Sequence, residues 1–180
     1  MPNSERKPNR WYVITGGPCC GKTTTVNLLR SMGYETTVEE ARHYIDLQRA
    51  DGKTPEEIER NQADFQKHVL DLQIAQERSL SPDTVVFLDR AIPDARAYYQ
   101  FLGIPEDRRL ASVLESVSYH KIFILDLLPL VNDYARRDNV DAQRSIHALL
   151  IEVYRSLGFP VIQVPVLPAE KRVEFILDRL

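Results

Sequence analysis

Short apolar runs alternate along the chain with longer segments in which apolar residues recur every three or four positions. The short runs predict β-strands at Trp11–Thr15, Tyr34–Val38, Thr84–Asp89, His120–Asp126 and Val161–Val164. Continuous apolar runs such as Val85–Leu88 are typical of strands that are buried on both faces of a parallel sheet. The alternation of strands and helices therefore predicts an α/β fold, a three-layer sandwich with helices on both faces of a parallel sheet.

The longer segments predict the helices. These are Lys22–Met32, a stretch from about Ala41 to Ala50, Thr54–Leu80, Pro93–Leu102, Glu106–Ser118, Asp141–Leu157 and Ala169–Leu180. The longest is expected to begin at Thr54, because Thr54-Pro55-Glu56-Glu57 combines a capping threonine, a proline at the first helical position and a glutamate that completes a capping box. The sequence divides into a disordered lead-in over residues 1–10 and a single domain over residues 11–180.

The first strand and the first helix are joined by Gly16-Gly17-Pro18-Cys19-Cys20-Gly21-Lys22-Thr23-Thr24, which fits the pattern G-x-x-x-x-G-K-[ST] in full. Glycines let the backbone wrap closely around phosphate oxygens, and the N–H groups of the loop and of the helix N-terminus present an anion site. Lys22 is expected to reach the β- and γ-phosphates, and the Thr23 hydroxyl to ligate Mg²⁺. This phosphate loop predicts that the chain binds a nucleoside triphosphate.

Two acidic residues at strand ends compete for the role of a second Mg²⁺ ligand or proton acceptor. Ligands of open α/β sheets bind outside the carboxyl ends of the strands, and both Asp89 and Asp126 end an apolar strand. Asp89 is favoured because Arg90 follows it, and an arginine there suits the binding of a substrate or a phosphate by its bidentate fork.

A second group of charged residues, Glu39, Glu40 and Arg42, follows the second strand. One of the two glutamates could act as the general base that takes a proton from a substrate hydroxyl, with Arg42 binding that substrate. Alternatively, the pair only stabilises a helix N-terminus electrostatically. The sequence does not choose between Glu39 and Glu40.

Arginines also occur in the irregular segment that precedes the Asp141–Leu157 helix. Arg136 and Arg137 could close over the phosphates and stabilise charge in the transition state, or they could belong to a solvated charged loop. The histidines His43, His68, His120 and His147 have no metal-ligand spacing with other donors.

Composition and charge limit the classes of molecule that the protein is expected to bind. The formal net charge of −3 over 180 residues gives no basic field for nucleic acid, and no run approaches the ~18 apolar residues of a membrane span. The two cysteines, Cys19 and Cys20, are adjacent and cannot form a disulfide that links distant segments of the chain. This favours a cytoplasmic protein.

These motifs, in this order, resemble the phosphate-loop kinase group of nucleoside, thymidylate and nicotinamide riboside kinases, and more closely the small "AAA family ATPase-like" domain related to ribosylnicotinamide kinase. The resemblance is carried by Gly16–Thr24, Val38–Arg42, Phe87–Arg90 and Tyr119–Asp126, and it extends over Tyr12 to Leu177. It implies a five-stranded parallel sheet in the order 2-3-1-4-5, a lid at about 127–141, and an adenine pocket near Arg136 and Pro165–Pro168.

Two functions follow as hypotheses. The first is a kinase that transfers phosphate from Mg²⁺-ATP to a hydroxyl of a small molecule, with the acceptor pocket between the long helix that begins at Thr54 and the Pro93–Leu102 region. The second is a regulatory NTPase that acts through a protein partner. The D-x-x-G and N-K-x-D motifs of GTPases do not occur in the sequence, which favours ATP without ruling out GTP. The identity of the acceptor and the oligomeric state do not follow from the sequence.

Overall fold

The computed structural model of the chain describes residues 9–54, 56–57, 60–129 and 140–180. Arg136 and Arg137, most of the predicted lid and most of the predicted lead-in lie outside these residues. Of the lead-in, Arg10 is described, and its backbone N–H donates to the carbonyl of Pro82 over 2.9 Å. Within the described residues, no helix is long and apolar enough to cross a membrane.

A parallel sheet forms the centre of the molecule. Its strands are β1 (Trp11–Thr15), β2 (Glu35–Thr36), β3 (Val86–Asp89), β4 (Lys121–Leu125) and β5 (Val161–Val164), in the spatial order β2-β3-β1-β4-β5. Ile14 pairs with Asp89 on one side and with Phe123 on the other, so the carboxyl ends of the three central strands lie side by side. The parallel sheet and its strand order are confirmed.

Helices cover both faces of this sheet. They are α1 (Lys22–Ser31), α2 (Glu40–Ala50), α3 (Gln62–Ser79), α4 (Ile92–Leu102), α5 (Arg108–Leu114), α6 (Val140–Ser156) and α7 (Ala169–Leu177). Helices α1 and α7 pack on one face through residues such as Leu29 and Ile176. Helices α4 and α6 pack on the other through residues such as Ala97 and Leu150. Helices α3 and α5 pack in turn against α4.

The longest predicted helix begins later than its sequence signal indicates. The capping box does form, since the Thr54 hydroxyl accepts from the Glu57 N–H and the Glu57 carboxylate accepts from the Thr54 N–H. Asn61, however, has non-helical dihedral angles, and its side chain caps a new helix by accepting from the backbone N–H of Asp64 over 3.2 Å. The helix that reaches the site is therefore α3, which begins at Gln62.

Several other elements are also shorter than predicted, and β2 and α5 show the physical reason. Strand β2 ends at Thr36, because the side chain of Thr37 instead accepts the backbone N–H of Asp89 over 2.9 Å. Helix α5 begins at Arg108, since the carboxylate of Asp107 caps its first turn by accepting from the N–H of Leu110 over 2.8 Å.

Candidate active site

The phosphate loop connects β1 to α1, and the close approach of other groups requires its glycines. Gly16 has φ +154°, and a Cβ there would lie 2.7 Å from the carbonyl oxygen of Leu125. Gly21 has φ +80°, and a Cβ there would collide with the guanidinium of Arg172. Both positions therefore exclude a side chain, as expected of a backbone that folds tightly around an anion.

The loop borders a cavity of about 400 Å³. Its lining consists of Gly17, Pro18, Cys19, Cys20, Gly21, Lys22, Thr23, Glu39, Arg42 and Arg90. The sequence places these residues in the phosphate loop, after the second strand and after the third, and the fold brings them to one space. The cavity has backbone N–H donors and cationic side chains on its wall, which is the chemistry that phosphate binding requires.

Lys22 lies at the centre of the charged groups. Its ammonium is 2.5 Å from a carboxylate oxygen of Asp89 and 3.2 Å from one of Glu39, and its side chain is only 6% exposed. Burial raises the pKa of Asp89 above its usual range, while the neighbouring Lys22 acts against that rise. Lys22 thus joins the phosphate loop to one acid from each of the two pairs that the sequence singles out, namely Asp89 and Glu39.

A second cavity, of about 440 Å³, is lined by Thr23, Glu39, Arg42 and Asp89, among other residues. The hydroxyl of Thr23 and the carboxylate of Asp89 are hard oxygen donors of the kind that Mg²⁺ prefers. In the described part of the chain, no group of three or more His, Cys, Asp or Glu side chains could hold a metal ion. A cation at this site would therefore take its remaining ligands from phosphate oxygens and water, which is how Mg²⁺ is bound in many phosphotransferases.

The two adjacent glutamates have different surroundings. Glu39 lies between Lys22 and Arg90, with a carboxylate oxygen 3.0 Å from Nε of Arg90. Burial opposes its ionisation, but Arg90 and Lys22 outweigh burial and lower the pKa of Glu39. Glu40 is directed toward α3, where it accepts from Gln76 over 2.6 Å, and burial raises its pKa. Of this pair, Glu39 contacts the phosphate-loop lysine.

Arg90 adopts a left-handed backbone conformation, φ +67°, which turns the chain sharply after β3. Its guanidinium donates to Glu39 and, over 2.9 Å, to the hydroxyl of Tyr98, and it lies 3.6 Å from a carboxylate oxygen of Asp94. Burial opposes the charge, but these three neighbours raise the pKa of Arg90. The guanidinium is therefore held in one place beside the phosphate loop.

Sequence reasoning missed Asp94, which organises the strand ends. One of its carboxylate oxygens accepts from the hydroxyl of Thr15 over 2.5 Å, and the other accepts from the hydroxyl of Tyr154. The available signal was an acidic residue in the first turn of a helix that follows a strand end. Asp94, on α4, thus links the end of β1 and helix α6 to the guanidinium of Arg90.

A third cavity, of about 590 Å³, opens beside the phosphate loop between α2, α3 and α4. It shares Pro18, Glu39 and Arg90 with the phosphate cavity. The rest of its wall is largely apolar and includes Ala41, Ile45, Phe65, Val69, Leu70, Ala91, Ala95 and Tyr98, with Glu40, Gln66, Gln73 and Asp94 as further polar members. The size and the apolar lining are typical of a small-molecule site.

Asp126, the competing acid, lies apart from Lys22 and Glu39. Its carboxylate is 39% exposed and is 3.9 Å from Nε2 of His147. The other ring nitrogen of His147 accepts from the backbone N–H of Gly17 over 3.2 Å. Burial lowers the pKa of His147, which keeps that nitrogen available as an acceptor. Asp126 therefore contacts the phosphate loop through a histidine and not through Lys22.

Comparison of the sequence with family models identifies one match, to the AAA domain, over residues 11–172. The chain belongs to this AAA domain family. A search of curated protein sequences finds no match.

Several solved structures share this fold. NadR in complex with NR superposes with a TM-score of 0.69 at 17% identity, over 94% of this chain and 49% of NadR. Thymidylate kinase from Ehrlichia chaffeensis gives a TM-score of 0.65 at 13% identity, over 96% of this chain and 98% of the kinase. Deoxyadenosine kinase from M. mycoides, with products dCMP and dCDP, gives a TM-score of 0.61 at 14% identity, over 94% of this chain and 97% of the kinase. This chain spans about half the length of NadR, and at these identities the likeness shows a shared fold.

Proposed function

We propose that the protein is a Mg²⁺-ATP-dependent phosphotransferase that phosphorylates a hydroxyl group of a small molecule, of the nucleoside or nicotinamide riboside type. The observation that carries this proposal is the pair of cavities on either side of Glu39 and Arg90. The polar cavity at the phosphate loop suits a triphosphate, and the largely apolar cavity of about 590 Å³ suits an organic acceptor. A simple NTPase needs only the first of them.

The residues that line both cavities support a particular arrangement of the reacting groups. In the proposed complex, the γ-phosphate lies on the phosphate loop against Lys22, and the acceptor hydroxyl enters from the apolar side next to Glu39. Lys22 exchanges its contacts with Asp89 and Glu39 for the phosphate oxygens and reduces the charge that accumulates on them.

Glu39 then takes the proton of the acceptor hydroxyl. Its lowered pKa keeps it ionised at neutral pH, and it borders both cavities. Arg90, fixed by Glu39, Tyr98 and Asp94, orients the acceptor or the transferred phosphoryl group. Arg42 lines the phosphate-side cavities and is proposed to bind the substrate there.

Thr23 and Asp89 would hold Mg²⁺ together with the phosphates, and the ion would neutralise phosphate charge and orient the donor. ATP is the proposed donor, and Arg136 and Arg137 are proposed to close over it.

The proposal is tested by measuring ADP release from Mg²⁺-ATP with a panel of nucleosides, nicotinamide riboside and small alcohols. ADP release that depends on one acceptor, with a matching phosphorylated product by mass spectrometry, is expected. ADP release that no acceptor changes would instead support a regulatory NTPase. A parallel series with Mg²⁺-GTP determines the donor.

The adjacent glutamates provide a matched pair of variants. Glu39→Gln is expected to lower turnover by about 100-fold or more, because general-base catalysis contributes about 10²–10⁴-fold. Glu40→Gln makes the same chemical change at the adjacent residue, whose side chain contacts Gln76 and His43. This variant is expected to retain most of the turnover. Equal losses in both variants would contradict the assignment of the base to Glu39.

A further inference from the structure

Arg172 of helix α7 is buried behind the phosphate loop, although 151 residues separate it from Gly21. One of its terminal nitrogens, Nη1, donates to the carbonyl oxygens of Cys20 and Gly21 and to the hydroxyl of Thr25, each over 3.2 Å. The other, Nη2, donates to the carbonyl oxygen of Leu167 over 3.1 Å. The side chain is not among the residues that line the phosphate cavity.

These contacts fix the direction of backbone N–H groups. In a planar trans peptide, the carbonyl and the N–H of the next residue point in opposite directions. No peptide bond in the described residues is cis. With the carbonyls of Cys20 and Gly21 turned toward Arg172, the N–H groups of Gly21 and Lys22 are turned away from it, toward the side of the loop that borders the cavity.

The charge of Arg172 also favours an anion at the phosphate loop. Among the described residues, no carboxylate lies within ion-pair distance of its guanidinium. Its hydrogen-bond acceptors are carbonyl oxygens and a hydroxyl. A buried cation without a carboxylate partner is costly unless another anion compensates it. A polyphosphate on the other side of the loop supplies that compensation.

We propose that Arg172 is a positioning residue for the triphosphate. It acts through the carbonyls of Cys20 and Gly21, holds the loop amides in the direction that phosphate oxygens require, and supplies positive charge beneath them. This also explains why position 21 must be glycine, since a Cβ there would collide with Nη1 of Arg172. The bond to Leu167 ties the β5–α7 loop to the phosphate loop through the same side chain.

The inference rests on the triphosphate site of the proposed function and is independent of the acceptor. It is tested by calorimetric titration of the full chain with Mg²⁺-ATP and with Mg²⁺-tripolyphosphate, at a temperature where every variant is folded by circular dichroism. Arg172→Met removes the charge and all four donated hydrogen bonds. It is expected to weaken both ligands by about 10- to 100-fold, as is typical of losing charge-assisted hydrogen bonds. Arg172→Lys keeps the charge without the planar fork and is expected to lose less.

The control is Val173→Ala on the same helix. Val173 is 3% exposed and packs in the core between α7 and the sheet, so its truncation destabilises the fold without touching the loop carbonyls. It is expected to lower the melting temperature and to leave both affinities within twofold of wild type.

The outcomes separate the two proposals. If wild type binds both ligands and Arg172→Met binds them as tightly, Arg172 is structural only and the inference is wrong. If Arg172→Met does not fold, wild-type affinity in Arg172→Lys would overturn the positioning role. If wild type binds neither ligand, the proposed function and this inference both fail.

Discussion

At the scale of single residues, the site is organised by pairs of opposite charge. Lys22 is held by Asp89 and Glu39, and Glu39 is held in turn by Arg90. In the proposed function, a nucleotide would replace these contacts of Lys22, and the two acids would then become available to a cation or an acceptor. The charges proposed to bind the donor and those proposed to activate the acceptor are the same small set.

Asp89→Asn is predicted to separate binding from turnover. An asparagine keeps the size of the side chain but loses the negative charge that would hold Mg²⁺, so nucleotide binding should be largely retained while turnover falls by about 100-fold or more. Parallel titrations and rate measurements check this prediction. Asp126→Asn, at the competing position, is the matched control and should leave turnover near wild type. If Asp89→Asn turns over normally, Asp89 does not have the assigned role.

Individual residues also show where sequence reasoning reaches its limit. The phosphate loop, Asp89, Arg90 and the pair Glu39 and Glu40 could be singled out because a local pattern marks each of them, but the choice of Glu39 within the pair required the structure. Asp94 and Arg172 could not, because their roles depend on partners such as Thr15, 79 residues from Asp94 in the chain, and Gly21, 151 residues from Arg172. Hydrogen bonds of this kind form only when the sheet brings distant segments together.

At the scale of elements, a buried carboxylate joins α3, α4 and the start of β4. Glu77 accepts from the Ile92 N–H over 2.9 Å, from Gln73 over 3.1 Å and from the Tyr119 hydroxyl over 2.7 Å. Desolvation by burial outweighs these donors and raises the pKa of Glu77 to about 7. Because Gln73 lines the apolar cavity, Glu77 sets the orientation of that wall.

Glu77 is predicted to make the free energy of unfolding fall as the pH rises. Its folded pKa of about 7 exceeds the ordinary value of 4.5, so the folded state binds the extra proton and its stabilisation is lost between about pH 4.5 and 7. The loss is about 3 kcal/mol, at roughly 1.4 kcal/mol for each pH unit. Urea denaturation at several pH values should show a shallower fall of the free energy of unfolding in Glu77→Gln than in wild type, by about this amount, since only the contribution of Glu77 is removed.

The exposed Glu174 on α7 is the control for this measurement, since it lies at the surface beside Lys171. Glu174→Gln should keep the wild-type slope. An unchanged slope in Glu77→Gln would mean that Glu77 titrates at its ordinary pKa in the folded protein.

Some elements could be predicted with their bounds from the sequence alone. The bounds of β1 and β5 match their predicted bounds because each is a short run of β-forming residues between clear breaks. Helix α3 was placed too early because the Thr54 capping box is a valid helix signal, and Glu56 and Glu57 are helical, whereas α3 itself begins only after Asn61. Its true start depends on the dihedral angles of Asn61, which the capping box does not reveal.

At the scale of the whole molecule, the phosphate loop is held by all the layers of the fold. Arg172 reaches it from α7, His147 from α6, and Leu125 at the end of β4 contacts Gly16. A ligand that bridges Lys22, the loop amides and Arg90 would therefore add contacts between parts of the chain that unfold together. Binding at one loop should stabilise the entire domain.

Mg²⁺-ATP is predicted to raise the melting temperature in proportion to the logarithm of its concentration. A ligand at 100 times its Kd stabilises the folded state by about 2.7 kcal/mol. For a domain of this size, that corresponds to a rise of roughly 5–10 °C. Differential scanning fluorimetry measures the shift, and Lys22→Ala should abolish it. A shift of wild-type size in Lys22→Ala would mean that ATP binds away from the phosphate loop.

The two cysteines have a practical consequence. Cys19 is exposed and Cys20 is buried, where desolvation raises the pKa of its thiol, and the chain contains no other cysteine. A thiol-specific fluorophore should therefore attach selectively to Cys19, on the wall of the phosphate cavity, without any engineered mutation. The rate of this labelling reports how accessible the cavity is, so candidate donors and acceptors can be screened by the protection that they give to one native side chain.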